Sequence, residues 1–266
     1  MRWRFTEGKV QVMGVLNVTP DSFSDGGRWT SPDTAVAHAL EMEDSGADVI
    51  DIGAESTRPF SEPVSAETEI SRLKPVLRDL IPSLGVPVSV DTMKTEVAQV
   101  ALDMGADIVN DVNGLRAEGM MELCAGCGAA VVIMHMHGRP STLRTDVMGD
   151  GFKEEIVGFL RSRSEDAMEA GIGRDRIILD PGIGFGKTHE QSAEIMRSCG
   201  DFSLGFPVLA GISRKGFLSY VYPGLDRDSA TADATVEAVR SGASMVRVHD
   251  VSTAVAALKR EGLPQE

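Results

Sequence analysis

Eight short apolar runs in this chain each lead into side chains that can do chemistry. The runs near 10–16, 48–53 and 86–91 deliver Asn17, Asp51 and Asp91. Those near 107–112 and 130–135 deliver Asn110-Asp111, then His135 and His137. Those near 175–180, 207–212 and 244–248 deliver Asp180, then Ser213-Arg214-Lys215, then Arg247 and His249. Helix caps or layer-closing hydrogen bonds account for one or two such residues, not for the whole set. A carboxylate accepts two parallel N–H bonds from a planar amidine-like edge. Asp91, Asn110 and Asp180 therefore suit a guanine-like or pterin ring. Arg58, Arg214, Lys215, Arg247 and His249 gather positive charge, which points to an anionic substrate. Asn17 and Asp21 are hard oxygen donors able to hold Mg²⁺ beside a phosphate.

These groups meet only if the runs are strands with their ends on one face. A recurring phrase supports that: Ser45-Gly46-Ala47-Asp48, Met104-Gly105-Ala106-Asp107, Cys127-Gly128-Ala129 and Ser241-Gly242-Ala243-Ser244 each precede an apolar run. Each reads as a helix stopped by a left-handed glycine, followed by a strand buried on both faces. Between the runs the spacing is helical. Ile70, Leu73, Leu77 and Leu80 follow a Ser65 cap, and Val97, Ala101, Met104 and Val251, Ala254, Val255, Leu258 repeat the pattern. Eight strand–helix units in 266 residues predict a single (β/α)₈ barrel of α/β class. A doubly wound open sheet is the alternative. In a barrel the site lies at the C-terminal rim. Two rim loops, 17–27 and 55–63, are rich in turn formers and look built for motion, each carrying an aromatic, Phe23 and Phe60.

Charge excludes other classes. Lys and Arg number 26 against 40 Asp and Glu, a net charge of −14, which argues against nucleic acid and against an anionic membrane surface. No apolar run approaches a membrane span, and the start lacks a secretory pattern. Three cysteines fit a reducing cytoplasm.

Three tempting motifs carry less than they suggest. The stretch Gly182-Ile183-Gly184-Phe185-Gly186-Lys187-Thr188 resembles a P-loop, but Pro181 stands where the first Gly is required. It reads instead as a turn that lets a ligand approach the backbone. Cys124 and Cys127 form a C-x-x-C that closes a helix rather than opening one, so both read as buried, inert thiols. His135 and His137 share a strand face, but the further histidines of a zinc site are missing.

Together the motifs resemble the dihydropteroate synthase family. The resemblance rests on residues 14–27 and 46–59, Val90-Asp91-Thr92, Asn110-Asp111, Met134-His135-Met136, residues 179–187, Ser213-Arg214-Lys215 and Arg247-Val248-His249-Asp250, in family order. It implies a cytoplasmic TIM barrel that condenses 6-hydroxymethyl-7,8-dihydropterin diphosphate with 4-aminobenzoate, giving 7,8-dihydropteroate and pyrophosphate. In the family pattern Asp91, Asn110, Asp180 and Lys215 hold the pterin and Met134 packs on its ring. Asn17, Arg247 and His249 surround the diphosphate, with Mg²⁺ on Asn17 and Asp21. Phe23, Ser56, Thr57, Arg58, Pro59, Phe185 and Lys215 shape the 4-aminobenzoate pocket. Catalysis falls to Asp21, Arg58, Asp180, Lys215 and Arg247. A homodimer through segments 231–241 and 251–258 is implied as well. Departures are Ala54 for a common Gly, with Asn113 and Gly216 for common Ser, and any N-terminal plug of the barrel floor is small. A pterin-binding methyltransferase serving a corrinoid, or a catalytically silent paralogue, are the alternatives. The first rim loop and Ser213-Arg214-Lys215 favour the synthase.

Overall fold

Alternation along the strands sorts the apolar residues into two cores, and this sorting closes the sheet. A computed structural model describes residues 3–19, 32–55, 63–143, 145–263 and 265. Its strands are β1 (Gln11–Asn17), β2 (Val49–Gly53), β3 (Val88–Asp91), β4 (Ile108–Asp111), β5 (Ala130–Met134), β6 (Ile177–Asp180), β7 (Leu209–Ala210) and β8 (Met245–Val248). All are parallel, in the order β6-β5-β4-β3-β2-β1-β8-β7. Leu179 pairs with Val208, and its N–H donates to the Pro207 carbonyl at 2.9 Å, joining β6 to the β7 segment. The ring is therefore a barrel, as the strand count predicts, and the open-sheet alternative falls. The β7 ladder is shorter than the expected 207–212, and Pro207 has no N–H to give it.

The helices are α1 (Pro32–Asp44), α2 (Ala66–Ser83), α3 (Thr95–Asp103), α4 (Met120–Cys127), α5 (Phe152–Glu169), α6 (His189–Met196), α7 (Leu218–Val221), α8 (Arg227–Arg240) and α9 (Val251–Arg260). Their apolar faces cover outward residues such as Ile50, Ile52, Val90, Val109 and Val246. Ser65 caps α2 through the Thr68 N–H, as the sequence predicts. The glycine of the repeated phrase is left-handed at Gly46, Gly105 and Gly242, with φ of 100°, 106° and 110°. The aspartate of the phrase has a separate task. Asp48 accepts the Val12 N–H at 2.6 Å and Asp107 the Val88 N–H at 3.2 Å, so each ties the start of one strand to its neighbour.

Inside the barrel, Met13, Val49, Ile108, Val132, Ile178, Leu209 and Met245 form the lower core. Trp3 closes it from below. Its indole N–H donates to Gln11 Oε1 at 3.2 Å, and Gln11 Nε2 donates to the Arg4 carbonyl at 3.2 Å. The described floor plug centres on this one aromatic. Trp3→Ala is expected to cost about 3 kcal/mol or more, because a large ring leaves a cavity in a packed core. Urea unfolding measures this, and a midpoint shared with wild type would show that the plug carries no stability.

Candidate active site

Above the apolar floor the interior of the barrel turns polar. The inward positions are Asp51 on β2, Asp91 on β3, Asn110 on β4, Met134 on β5, Asp180 on β6 and Arg247 on β8. Arg247 reaches across β1. Its Nε donates to Asp51 Oδ2 at 2.6 Å and its Nη2 to Asp91 Oδ2 at 2.7 Å. Asn110 Nδ2 donates to the same Asp51 oxygen at 3.0 Å. Asp51 was legible as a strand-end acid without a role, yet it is the centre of this network. Burial disfavours the charge on Arg247, but Asp51 and Asp91 outweigh it and hold its pKa above the ordinary value. Burial raises the pKa of Asp91, and Arg247 offsets part of that rise.

The opposite wall comes from β6, β7 and β8. Asp180 Oδ1 accepts the Gly182 N–H at 2.7 Å. Burial raises its pKa, opposed by the nearby Lys215 and by that N–H. Lys215 Nζ donates to the Ile183 carbonyl and lies 4.5 Å above the centre of the Phe185 ring. Burial lowers its pKa to about 8 even with Asp180 close by. Gly211 lies beside this pair, and a Cβ there would meet Asp180 Oδ2 and Lys215 Nζ at 3.7 Å, an ordinary contact. Arg214 is left-handed, with φ of 58°. That turn separates three neighbours. Ser213 Oγ meets His249 Nδ1 at 2.9 Å and Lys215 faces the interior, whereas the Arg214 side chain swings out to pair with Asp228 at 2.7 and 3.1 Å. Arg214 is thus withdrawn from the cationic group that the sequence suggests.

The match to known proteins is extensive. The pterin binding enzyme family model covers residues 13–249. The dihydropteroate synthase of Bacillus subtilis is 44% identical over 246 residues, 91% of this chain and 84% of that protein. The chain belongs to the dihydropteroate synthase family. Two structures of the Xanthomonas albilineans dihydropteroate synthase agree. The one with 4-aminobenzoic acid has a TM-score of 0.89 at 38% identity, covering 98% of each chain. The one with 7,8-dihydropteroate has a TM-score of 0.85 at 38% identity, covering 97% of this chain and 94% of that one.

In this pterin-binding family member, Asp91, Asn110, Met134, Asp180, Lys215, Arg247 and His249 come together at one end of the barrel, with Phe185 at the edge. Asn17 ends β1 opposite Gly53. Asp21, Phe23, Ser56, Thr57, Arg58 and Pro59 lie outside the described residues. Other expectations change. Asp111 faces away from Asn110 and accepts the N–H groups of Asn113 at 2.7 Å and Leu115 at 2.9 Å, fixing the turn after β4. The glycine turn admits protein rather than ligand: a Cβ on Gly182 would collide with the His135 carbonyl, and one on Gly186 with that of His137. Cys124 is a buried thiol whose pKa burial pushes up to about 12, but Cys127 is exposed, because it lies on the outer side of the last turn of α4. His135 is buried, with its pKa lowered to about 3 by burial and by Lys187. Among the described residues no cluster of three His, Cys, Asp or Glu is placed to hold a metal.

Asp51→Asn keeps the volume of the hub but removes its charge. Breaking one contact of a buried ion pair is expected to cost about 3 kcal/mol, and a 6-hydroxymethylpterin probe should bind at least about tenfold more weakly, by the loss of a charged partner to Arg247. Urea unfolding and calorimetry read the two effects. Wild-type values for both would remove Asp51 from the network.

Proposed function

We propose that this chain is a dihydropteroate synthase, and the observation that carries the reading is the interior ring of Asp91, Asn110, Asp180, Lys215 and Arg247. It condenses 6-hydroxymethyl-7,8-dihydropterin diphosphate with 4-aminobenzoate. The bond from the pterin methylene to the diphosphate oxygen breaks, and pyrophosphate leaves with the electron pair. The amine nitrogen bonds the methylene and releases a proton.

The acids and Asn110 supply acceptors and an amide for the amidine-like edge of the pterin, and Met134 offers an apolar face to its ring. Asp91 accepts from Arg247 before substrate arrives, so a pterin edge that takes up this carboxylate loosens the guanidinium for the departing pyrophosphate. His249, oriented by Ser213 Oγ, lies on the same side as Arg247. Preorganised positive charge at a developing anion is the main catalytic device in this reading. The electron-rich dihydropterin supports a cationic methylene, so departure precedes attack. Aniline-type amines are weak bases, and no strong general base is required. Lys215 over Phe185 forms one wall for the 4-aminobenzoate ring. Phe23, Ser56, Thr57, Arg58 and Pro59 complete that pocket in this reading.

Mg²⁺ belongs to the same proposal. A magnesium ion is commonly held by one or two protein oxygens together with substrate phosphates, and the half-buried Asn17 at the mouth of β1 fits such a sparse donor set. Asp21 is its proposed companion. Bound there, the ion supplies neutralisation of the leaving diphosphate. A homodimer through α8 and α9 is also proposed; Ala232, Val236 and Ala257 form a small apolar cluster across these two helices. A cytoplasmic location fits the three unpaired cysteines. No helix among the described residues is long and apolar enough to cross a membrane.

Pyrophosphate release from the pterin diphosphate, dependent on Mg²⁺ and stimulated by 4-aminobenzoate, tests the function directly. A methyltransferase would ignore the diphosphate, and a silent paralogue would release nothing. Asp91→Asn and Lys215→Ala should each lower kcat/KM by about 100-fold or more, the scale of losing a buried charged contact. Near-normal turnover in either would overturn the site. The pH profile is a second check. Lys215 holds a proton below about pH 8 and loses it above, so kcat/KM should fall as pH rises through that value. In Lys215→Arg the remaining rate should lack this alkaline limb, since a guanidinium stays charged.

A further inference from the structure

One buried cation has no part in the reaction as derived above. Lys187 follows the glycine turn and is buried, with 5% of its surface exposed. Its Nζ has three N–H bonds to give and three acceptors, none a carboxylate. These are His135 Nδ1 at 2.9 Å, the His135 carbonyl at 3.2 Å and the Phe185 carbonyl at 3.1 Å. In its ammonium form Lys187 only donates, so His135 Nδ1 then accepts and Nε2 carries the ring proton. Burial lowers the Lys187 pKa to about 7 and the histidine stays neutral, in keeping with a donor surrounded by dipoles.

The three acceptors belong to the two segments that frame the substrate cavity. His135 follows Met134 at the end of β5. Phe185 is the tip of the turn after β6, and its ring lies beneath Lys215. Only glycine lets these segments close over the lysine, since a Cβ at Gly182 would stand 3.1 Å from Lys187 Nζ as well as striking the His135 carbonyl. The Phe185 carbonyl has a second donor in the His137 N–H, at a longer 3.4 Å. Lys187 is therefore the shorter tether on the residue whose ring makes the wall of the site.

We propose that Lys187 is a positioning residue for 4-aminobenzoate: it pins the Phe185 backbone to the end of β5 and so fixes the Phe185–Lys215 wall. The inference rests on the synthase reading. It separates the two substrates through its hydrogen bonds, which end on Phe185 and His135 and not on Asp91, Asn110, Asp180 or Arg247; the Lys187 charge also reaches Asp180, so the split between the two KM values, not either value alone, reads the tether.

Steady-state kinetics of Lys187→Met, which keeps length and removes all donors, provides the test. The KM for 4-aminobenzoate should rise about tenfold or more, while the KM for the pterin diphosphate and kcat stay within about threefold, the signature of lost binding in one subsite. His135→Asn, which keeps an acceptor near the Nδ1 position, should restore most of the wild-type KM when compared with His135→Phe. A purely structural lysine would lower the melting temperature and the active fraction without splitting the two KM values. An unchanged 4-aminobenzoate KM in folded Lys187→Met, or equal rises for both substrates, overturns the proposal. Where Lys187→Met yields no folded protein, His135→Phe decides: a 4-aminobenzoate KM raised by about fivefold or more with the pterin diphosphate KM within about threefold supports the tether, and two KM values that rise together or stay unmoved overturn it. A wild type that forms no dihydropteroate overturns the synthase reading and this inference with it. An active wild type with an unmoved variant overturns the inference alone.

Discussion

A guanidinium half-buried among carboxylates is stable only while every partner stays in place, and Arg247 sets that condition for the whole barrel. Removing such a charge from water costs several kcal/mol unless short, well-aligned contacts replace the lost hydration. Arg247 obtains them from β2 and β3 although it sits on β8, with β1 between. Only a closed, strongly curved sheet brings those three strands within one side chain of each other. Residue size then follows. Gly53 occupies the inward position above Asp51, and a Cβ there would stand 3.4 Å from that of Asp91. The missing side chain leaves space in which a flat ring can lie.

The apolar floor matters to the same charges. Met13, Met245 and Ile178 underlie the polar layer, and Trp3 seals them from solvent. Low polarity below strengthens each hydrogen bond above and raises the cost of an unpaired group. Asp51 Oδ1 and Ser89 Oγ, on paired positions of β2 and β3, are buried without a protein partner among the described residues. The network is thus tight around Arg247 and incomplete just beside it.

Strand-end chemistry was legible because polarity changes abruptly at the end of each apolar run, and that is where a barrel gathers its functional groups. The helical segments were legible from spacing, and Ser65 and the left-handed glycines marked their ends. Direction was not legible. Asn110 and Asp111 are adjacent, and only the register of β4 against β3 and β5 decides which one faces the interior. Asp51 was seen as a strand-end acid but given no role, because its partners Asn110 and Arg247 lie 59 and 196 residues away. Trp3 carried no periodic signal because the cluster it joins is assembled from strands spread along the chain. Lys187 was passed over with a failed P-loop; its role depends on His135, 52 residues away.

Charge balance offers the last step. Among the described residues the interior acids Asp51, Asp91 and Asp180 face Arg247 and Lys215, with Lys187 behind Asp180, so acids and cations there are close to balance. Arg214, which would have added a cation, is tied to Asp228 at the surface. In the proposed function an anionic ligand is received by exchange of partners rather than by a standing excess of cations. A ring that occupies the acids leaves Arg247 and Lys215 short of counter-charge, and an attached phosphate then meets them at their most attractive. In that reading binding of the ring and stabilisation of the leaving anion are one event, with the same few hydrogen bonds serving first the one and then the other. The overall charge of −14 does not oppose this. Most of it lies on solvated helical faces, where salt screens it within about 10 Å, and the exchange takes place in the buried interior.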